Sequence, residues 1–125
     1  MNRPKFRHYF PSTGVLTAGM DVMTFIICSD GKDAVWKDAV WMQWTHCVDD
    51  NKVEIYAGDI LKIMDEEQRV SFTEVRWYQG SLIVEGDFGD YDLTTVAWAL
   101  DFWDNDCCTV EVAGNIYKNP ELLSK

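Results

Sequence analysis

Between Arg76 and Lys118 the chain contains no basic residue. The same window holds eight acids: Glu85, Asp87, Asp90, Asp92, Asp101, Asp104, Asp106 and Glu111. Nucleic acids and anionic membranes are bound by neutralising phosphates with Lys and Arg, so this region argues against direct binding to either. No apolar run approaches the ~18 residues of a spanning helix, and no charged-then-apolar leader opens the chain. The expectation is a protein that stays in a cytoplasm with its thiols reduced. The four cysteines, Cys28, Cys47, Cys107 and Cys108, form no CxxC, and the two histidines form no HxxxH. No metal and no cofactor are therefore expected. A glycine-rich phosphate loop, a GxSxG elbow, an internal repeat and a low-complexity linker are also missing.

What is present favours one ordered domain spanning residues 1–125. Of its residues 47% are hydrophobic and 14% aromatic, six of them Trp, enough to fill a core in a chain of 125 residues. The net charge of −10 is lopsided. Residues 1–64 carry 7 Lys and Arg against 8 acids, whereas residues 65–125 carry 4 against 13.

Periodicity points to a mainly β (α+β) fold. Phe6–Phe10 alternates as a first strand and Pro11–Gly14 ends it. Val22–Cys28 reads as a buried strand, followed by a loop over Ser29–Asp33. Val35–Cys47, a turn at Asp49–Lys52 and Val53–Tyr56 form a hairpin, and Gly58 turns the chain into Ile60–Met64. Asp65–Gln68 is a hairpin tip. In Val70–Tyr78 the apolar parity changes near Thr73–Glu74, which suggests a β-bulge. Gln79–Ser81 turns, Leu82–Glu85 pairs back, and Gly86–Asp90 is a loop. Asp92–Phe102 switches to helical period, with Leu93, Val96, Ala97 and Leu100 on one stripe and Asp92 as its N-cap. Cys107–Val112 is the last strand, and Glu121–Leu123 a closing helical turn.

Few groupings suggest chemistry. His46 and Cys47 with Cys107 and Cys108 contain metal-binding residue types, but adjacent cysteines on a strand point to opposite faces and ligate one ion poorly. Cys47 with His46 or His8 as nucleophile and base has no supporting spacing. Asp87–Asp92 lacks the ligand spacing of a calcium loop. Trp36, Trp41, Trp44, Trp77, Trp98 and Trp103 cannot all enter one small core. Trp98 lies off the helical stripe and Trp41 lies opposite Met42 and Trp44. Exposed aromatics suit a protein–protein interface; their ordinary alternative is core filling.

Two blocks carry a family resemblance. Met42-Gln43-Trp44-Thr45 followed by Glu54-Ile55-Tyr56-Ala57-Gly58-Asp59-Ile60, and the closing Gly114-Asn115-Ile116-Tyr117-Lys118-Asn119-Pro120-Glu121-Leu122, resemble the YopX family of phage and prophage proteins. Lys5-Phe6-Arg7 is similar to the family's start. Met42, Gln43, Thr45, Tyr56, Gly58, Asp59, Gly114, Asn115, Tyr117 and Pro120 are thus a structural signature. The resemblance implies a small β-rich pseudobarrel with one short helix (at 92–102 in this chain), in a phage-encoded protein of the bacterial host cytoplasm that assembles into a homo-oligomer. It carries over no catalytic residue. The family usually has Gly where this chain has His46, and Asn-Gly where it has Asn51-Lys52, so the turn is expected to lengthen.

The expected function is non-enzymatic and works by protein binding. The eight acids of residues 85–111 are the candidate partner surface, as a nucleic-acid mimic facing a basic host or defence protein. The plain alternative is acidity that only keeps the protein soluble. A different class is an oligomeric nucleotide-binding module, for which Arg3, Arg7, Arg69 and Arg76 are a thin supply of cations.

Overall fold

The computed structural model describes residues 5–10, 15–16, 20–21 and 40–123. The chain divides into two compact units, Met1–Trp44 and Thr45–Lys125. The expected strand Val22–Cys28, the flanking turns Pro11–Gly14 and Ser29–Asp33, and Trp36 lie outside the described residues.

In the first unit β1 (Lys5–Phe10) is antiparallel to β2 (Val15–Leu16), to β3 (Met20–Asp21) and to the start of β4 (Val40–Val48). The register places Phe6 opposite Gln43 and Tyr9 opposite Val40. His8 is fully buried, edge-on to Trp41 with ring centroids 5.0 Å apart. Burial holds its imidazole below the ordinary histidine range, toward the neutral form.

The second unit takes up β4 beyond Trp44, with β5 (Glu54–Tyr56) beside it. It then builds two three-stranded sheets. One has the order β11-β6-β7, from β6 (Asp59–Met64), β7 (Val70–Glu74) and β11 (Thr109–Asn115). The other has the order β10-β9-β8, from β8 (Arg76–Tyr78), β9 (Ser81–Phe88) and β10 (Tyr91–Thr95). A helix, α1 (Val96–Asn105), joins them, and a 3-10 turn follows at Pro120–Leu123. The mainly β class, with one α-helix among the described residues, is as the periodicity implies.

The core of this unit combines Ile55, Leu61, Ile63, Val75, Val84, Phe88 and Val110 with Val96, Ala99 and Trp103 of the helix. Burying a side chain such as Phe88 or Ile63 is worth about 1.5–3 kcal/mol, so this cluster dominates the packing energy.

Four local expectations are corrected. The parity change at Thr73–Glu74 is a change of sheet, not a bulge: β7 pairs with β6 and β8 with β9. Val75, between them, is fully buried and exchanges backbone bonds with Gly58 and Asp59. Secondly, β9 continues through Gly86 to Phe88, because the chain reverses only at Gly89–Asp90, where Gly89 takes φ +74°.

Thirdly, the helix runs over Val96–Asn105, not 92–102. Asp92 is not its cap: Tyr91–Thr95 is strand, paired with β9, and Thr95 Oγ1 accepts from the Trp98 N–H at 3.5 Å. The buried stripe accordingly moves to Val96, Ala99 and Trp103. The C-terminus of α1 closes by paired reverse bonds, Cys108 N to Trp103 O at 2.8 Å and Cys107 N to Asp104 O at 3.1 Å. Cys107 stands at φ +60°, where such a closure ordinarily takes glycine. Fourthly, the following strand starts at Thr109 rather than Cys107 and continues to Asn115.

Candidate functional site

The signature residues of the second unit build one clasp. Gly58 has φ +90°, a conformation that residues with a Cβ resist, and it turns β5 into β6. Buried Asp59 secures the corner by accepting from Tyr56 N at 2.8 Å, while the Tyr56 hydroxyl donates to Glu54 at 2.9 Å. Across the sheet Asn115 lies opposite Asp59, and Ile116 N donates to Gly58 O at 2.9 Å. Asn115 Oδ1 then accepts from Tyr117 N and Lys118 N, at 3.0 and 2.9 Å. Gly114 lacks a Cβ because one would stand 2.7 Å from the Asn119 Cγ. Pro120 begins the 3-10 turn, and Thr45 Oγ1 donates to Ile55 O at 2.8 Å. In the first unit Met42 is fully buried and Gln43 faces Phe6. Every one of these roles is architectural.

The two positions where the resemblance leads one to expect glycine both have left-handed backbone in this chain: His46 at φ +68° and Lys52 at φ +67°. The turn stays closed with Lys52 in that conformation, through Lys52 N to Asp49 O at 3.0 Å and Asp49 N to Val53 O at 2.9 Å.

Asp49 does more than its place in a turn requires. It is buried, and its Oδ1 accepts from Asn51 N and Val53 N at 2.8 and 2.9 Å. Its Oδ2 accepts from Val112 N at 2.8 Å, and Asp50 Oδ2 from Val110 N at 2.8 Å. The hairpin turn therefore caps the outer edge of β11.

All eight acids of residues 85–111 are exposed. Glu85 is paired with Arg76, and Glu111 with Lys62 at 3.5 Å. The other six have no cation within ion-pair distance among the described residues. The fold does not gather all eight. Glu85, Asp87 and Asp106 line one groove, whereas Glu111 sits with Lys62, Met64 and Thr109. Asp90 lies in the β9–β10 turn, Asp92 on β10, and Asp101 and Asp104 on the exposed side of α1.

The groove adds acids that the 85–111 window omitted. It has a volume of about 460 Å³, with Asp65, Arg69, Glu85, Asp87 and Asp106 at its rim and Ile63, Phe72, Phe102 and Trp103 as its apolar lining. A second hollow of about 400 Å³ adjoins it at Asp65, Arg69 and Asp106 and brings in Glu66 and Glu67. Arg69 is engaged by Asp65 at 2.9 Å and by Glu67 at 3.5 Å. The Arg69 backbone N–H and guanidinium hold the Asp65 carboxyl below the usual carboxylate range.

One wall of the groove is the edge of β7. Asp65 N bonds to Arg69 O, and Val75 N to Asp59 O at the other end of the β6–β7 ladder. Bonded and non-bonded pairs alternate in an antiparallel ladder, so Ser71 and Thr73 face β6 while Val70, Phe72 and Glu74 turn their backbone groups outward. The opposite wall is β9 beyond the end of β8. The two-residue turn at Gln79–Gly80 makes Tyr78–Ser81 a bonded pair, so Glu85 and Asp87 point their backbone toward β7. At the narrow end Glu85 N reaches Thr73 Oγ1 at 3.3 Å.

Cysteine chemistry finds little support in this geometry. Burial raises the Cys47 thiol, against a smaller opposing effect of Thr45. A hydrogen bond with Glu66, followed by its charge, raises Cys107. Burial and then Asp106, Asp65 and Glu66 raise Cys108. Each shift disfavours the thiolate that a nucleophile or metal ligand requires. Among the described residues no three His, Cys, Asp or Glu converge to hold a metal ion. No helix among them is long and apolar enough to cross a membrane.

Comparison with known proteins gives a consistent result. A family model described as YopX protein matches residues 14–124. The SPbeta prophage-derived uncharacterized protein YopX of Bacillus subtilis (strain 168) is 36% identical over 72 residues, covering 55% of this chain and 49% of that protein. The match thus spans about half the length of the curated relative. The crystal structure of YopX from Bacillus subtilis aligns with TM-score 0.55 and 21% identity, over 96% of this chain and 98% of that one. That of protein EF1440 from Enterococcus faecalis aligns with TM-score 0.60 and 21% identity, over 99% and 100%. The two structural likenesses speak to the fold alone.

Proposed function

The chain belongs to the YopX family, and from that premise we propose that it is a non-enzymatic accessory protein that works by binding another protein through its acidic surface. Its setting in this reading is the cytoplasm of a bacterial host, and its target a basic, nucleic-acid-binding site on a host or defence protein. The observation that carries the reading is the set of six exposed carboxylates, Asp87, Asp90, Asp92, Asp101, Asp104 and Asp106, with no cation in reach among the described residues. Uncompensated carboxylates on one stretch of chain produce a negative field that steers a basic partner and competes with its phosphate ligand. Arg69 and Arg76 are both occupied by carboxylates, which weighs against the nucleotide-binding alternative.

Self-association is part of the same proposal. Trp77, Tyr78, Tyr91 and Trp98 of the second unit are each more than two-fifths exposed, and Trp98 is stacked on Phe102 at 5.5 Å. Aromatic side chains in such numbers suit an interface between copies. Light scattering on the purified protein should give a mass above that of one chain.

Capture from host lysate tests the partner. Basic nucleic-acid-binding proteins should be retained, should elute with added DNA, and should be lost with the triple variant Asp92→Lys, Asp101→Lys, Asp104→Lys. Retention that is indifferent to charge reversal would overturn the proposal.

A further inference from the structure

The groove between β7 and β9 has two properties that the acidity of the surface does not require. Its β7 wall is a strand edge that pairs with no strand among the described residues on that side; β9 closes on it at Thr73, where Glu85 N reaches Oγ1, and Leu123 lies beside Phe72, Thr73 and Glu74. Natural edges are blunted by Lys, Pro, a bulge or a covering segment. β7 reads Val-Ser-Phe-Thr-Glu, its ladder with β6 is regular, and among the described residues it forms a ladder with no strand but β6. Val70 is 42% exposed. The outward amides and carbonyls of Val70 and Phe72 border a groove lined by Ile63, Phe102 and Trp103. An extended segment laid there would find backbone partners on one side and an apolar surface for alternate side chains.

The rim selects what enters. Asp65, Asp87 and Asp106 surround the groove together with Glu85, and the adjoining hollow adds Glu66 and Glu67. The two arginines of this region are already held by Asp65, Glu67 and Glu85. An incoming strand whose outward residues are Lys or Arg would meet carboxylates on both walls, and an acidic strand would be repelled.

We propose that the β7 edge captures an extended, Lys- or Arg-bearing segment of the partner protein as an additional strand of the β11-β6-β7 sheet. This rests on the reading of the acidic surface as partner-binding, in which the acids outside the groove steer the whole partner, and adds to it one place and one mode of contact. Phe72, Ile63, Phe102 and Trp103 take the apolar side chains of the segment, Val70 and Phe72 its backbone, and Asp87 and Asp106 its cations.

A fluorescein-labelled ten-residue peptide of alternating Val and Lys is the probe, read by anisotropy. Its counterpart N-methylated at alternate residues keeps the charge and loses the strand-pairing donors. Binding of the first and about tenfold weaker binding of the second is expected, equivalent to loss of one or two backbone hydrogen bonds. Val70→Pro removes an outward donor without touching the β6 ladder and should weaken the peptide to a similar degree. Asp87→Lys guards against a folding defect in that variant and should do the same. In amide spectra the Val70 and Phe72 signals should shift and exchange more slowly on titration. The helix pair Asp101→Lys, Asp104→Lys, whose side chains are not part of the groove lining, should weaken the peptide less than either Val70→Pro or Asp87→Lys.

Equal binding of the N-methylated peptide, or an equal loss in the helix pair, would overturn strand capture and leave diffuse charge attraction. Absence of peptide binding, with a dimer that Val70→Pro dissolves, would assign the edge to a second copy and also overturn it. Lysate capture lost in the Asp92→Lys, Asp101→Lys, Asp104→Lys triple but kept in Val70→Pro and Asp87→Lys would preserve the proposed function while removing this inference.

Discussion

The β11-β6-β7 sheet has two edges, and the chain treats them oppositely. On β11 the outward amides of Val110 and Val112 are met by the carboxylates of Asp50 and Asp49, and Asp50 N returns a bond to Val110 O. On β7 the outward groups of Val70 and Phe72 face a groove. One edge is sealed by side chains from a turn 60 residues away in sequence. The other is left as a docking line. The loops themselves do not account for this, because the Asp49–Val53 and Asp65–Arg69 turns are built alike. Each begins with Asp, whose Oδ1 accepts from the residues two and four positions on, and each has a left-handed residue at its fourth position, Lys52 or Gln68. They differ in the second oxygen: Asp49 Oδ2 takes a β11 amide, and Asp65 Oδ2 takes the Arg69 guanidinium. The same local chemistry is a long-range staple in one turn and a surface ion pair in the other.

The sharpest break of this contrast is Asp49→Ala. It removes a buried carboxylate that accepts three backbone amides, and urea denaturation should show a loss of about 3 kcal/mol. Asp50→Ala, at an exposed position with one such bond, should cost about 1 kcal/mol in the same assay. Both variants should also raise the exchange rates of the Val110 and Val112 amides.

Glycine at Lys52, His46 or Cys107 should act in the opposite direction. Each stands at positive φ, and relief of that strain, less the added chain entropy of glycine, should stabilise by about 0.5–1 kcal/mol per site in thermal melts.

The smallest effect belongs to Asp65. Its carboxyl is depressed in the folded state, so the stability it contributes is complete above the unfolded value near 3.9 and fades as pH falls through the folded one. Melts between pH 5 and 2.5 should therefore lose less stability in Asp65→Asn than in the parent.

The sequence reveals the hairpin, its turn and the Gly58 corner, since Asp, Asn and Gly act there through their own backbone and need no distant partner. The same residues conceal the β11 staple: a turn aspartate has the same sequence signature whether its second oxygen reaches water or a strand. Val70–Tyr78 shows the same limit. Its parity change is visible, but whether it means a bulge or a change of sheet depends on β6 and β9, which offer separate partners on the two sides of Val75. At Asp92–Thr95 local preference allows helix or strand, and pairing with β9 decides for strand. The eight-acid window places Glu85, Asp87 and Asp106 at the groove but misses Asp65, Glu66 and Glu67. Those three enter through the β6–β7 turn, on the far side of Arg69 and Arg76 in the chain.

The clasp between Gly58 and Ile116 also governs how the protein is made. During synthesis the Gly58 corner, the Asp49–Asp50 turn and one side of β6 leave the ribosome well before their partners at Val110–Asn119. At ordinary elongation rates that interval is roughly 3–12 s. Throughout it β6 offers a row of unpaired backbone groups to any neighbouring nascent chain, including another copy on the same message. Only when residues 109–115 have emerged can β11 fill that side of β6.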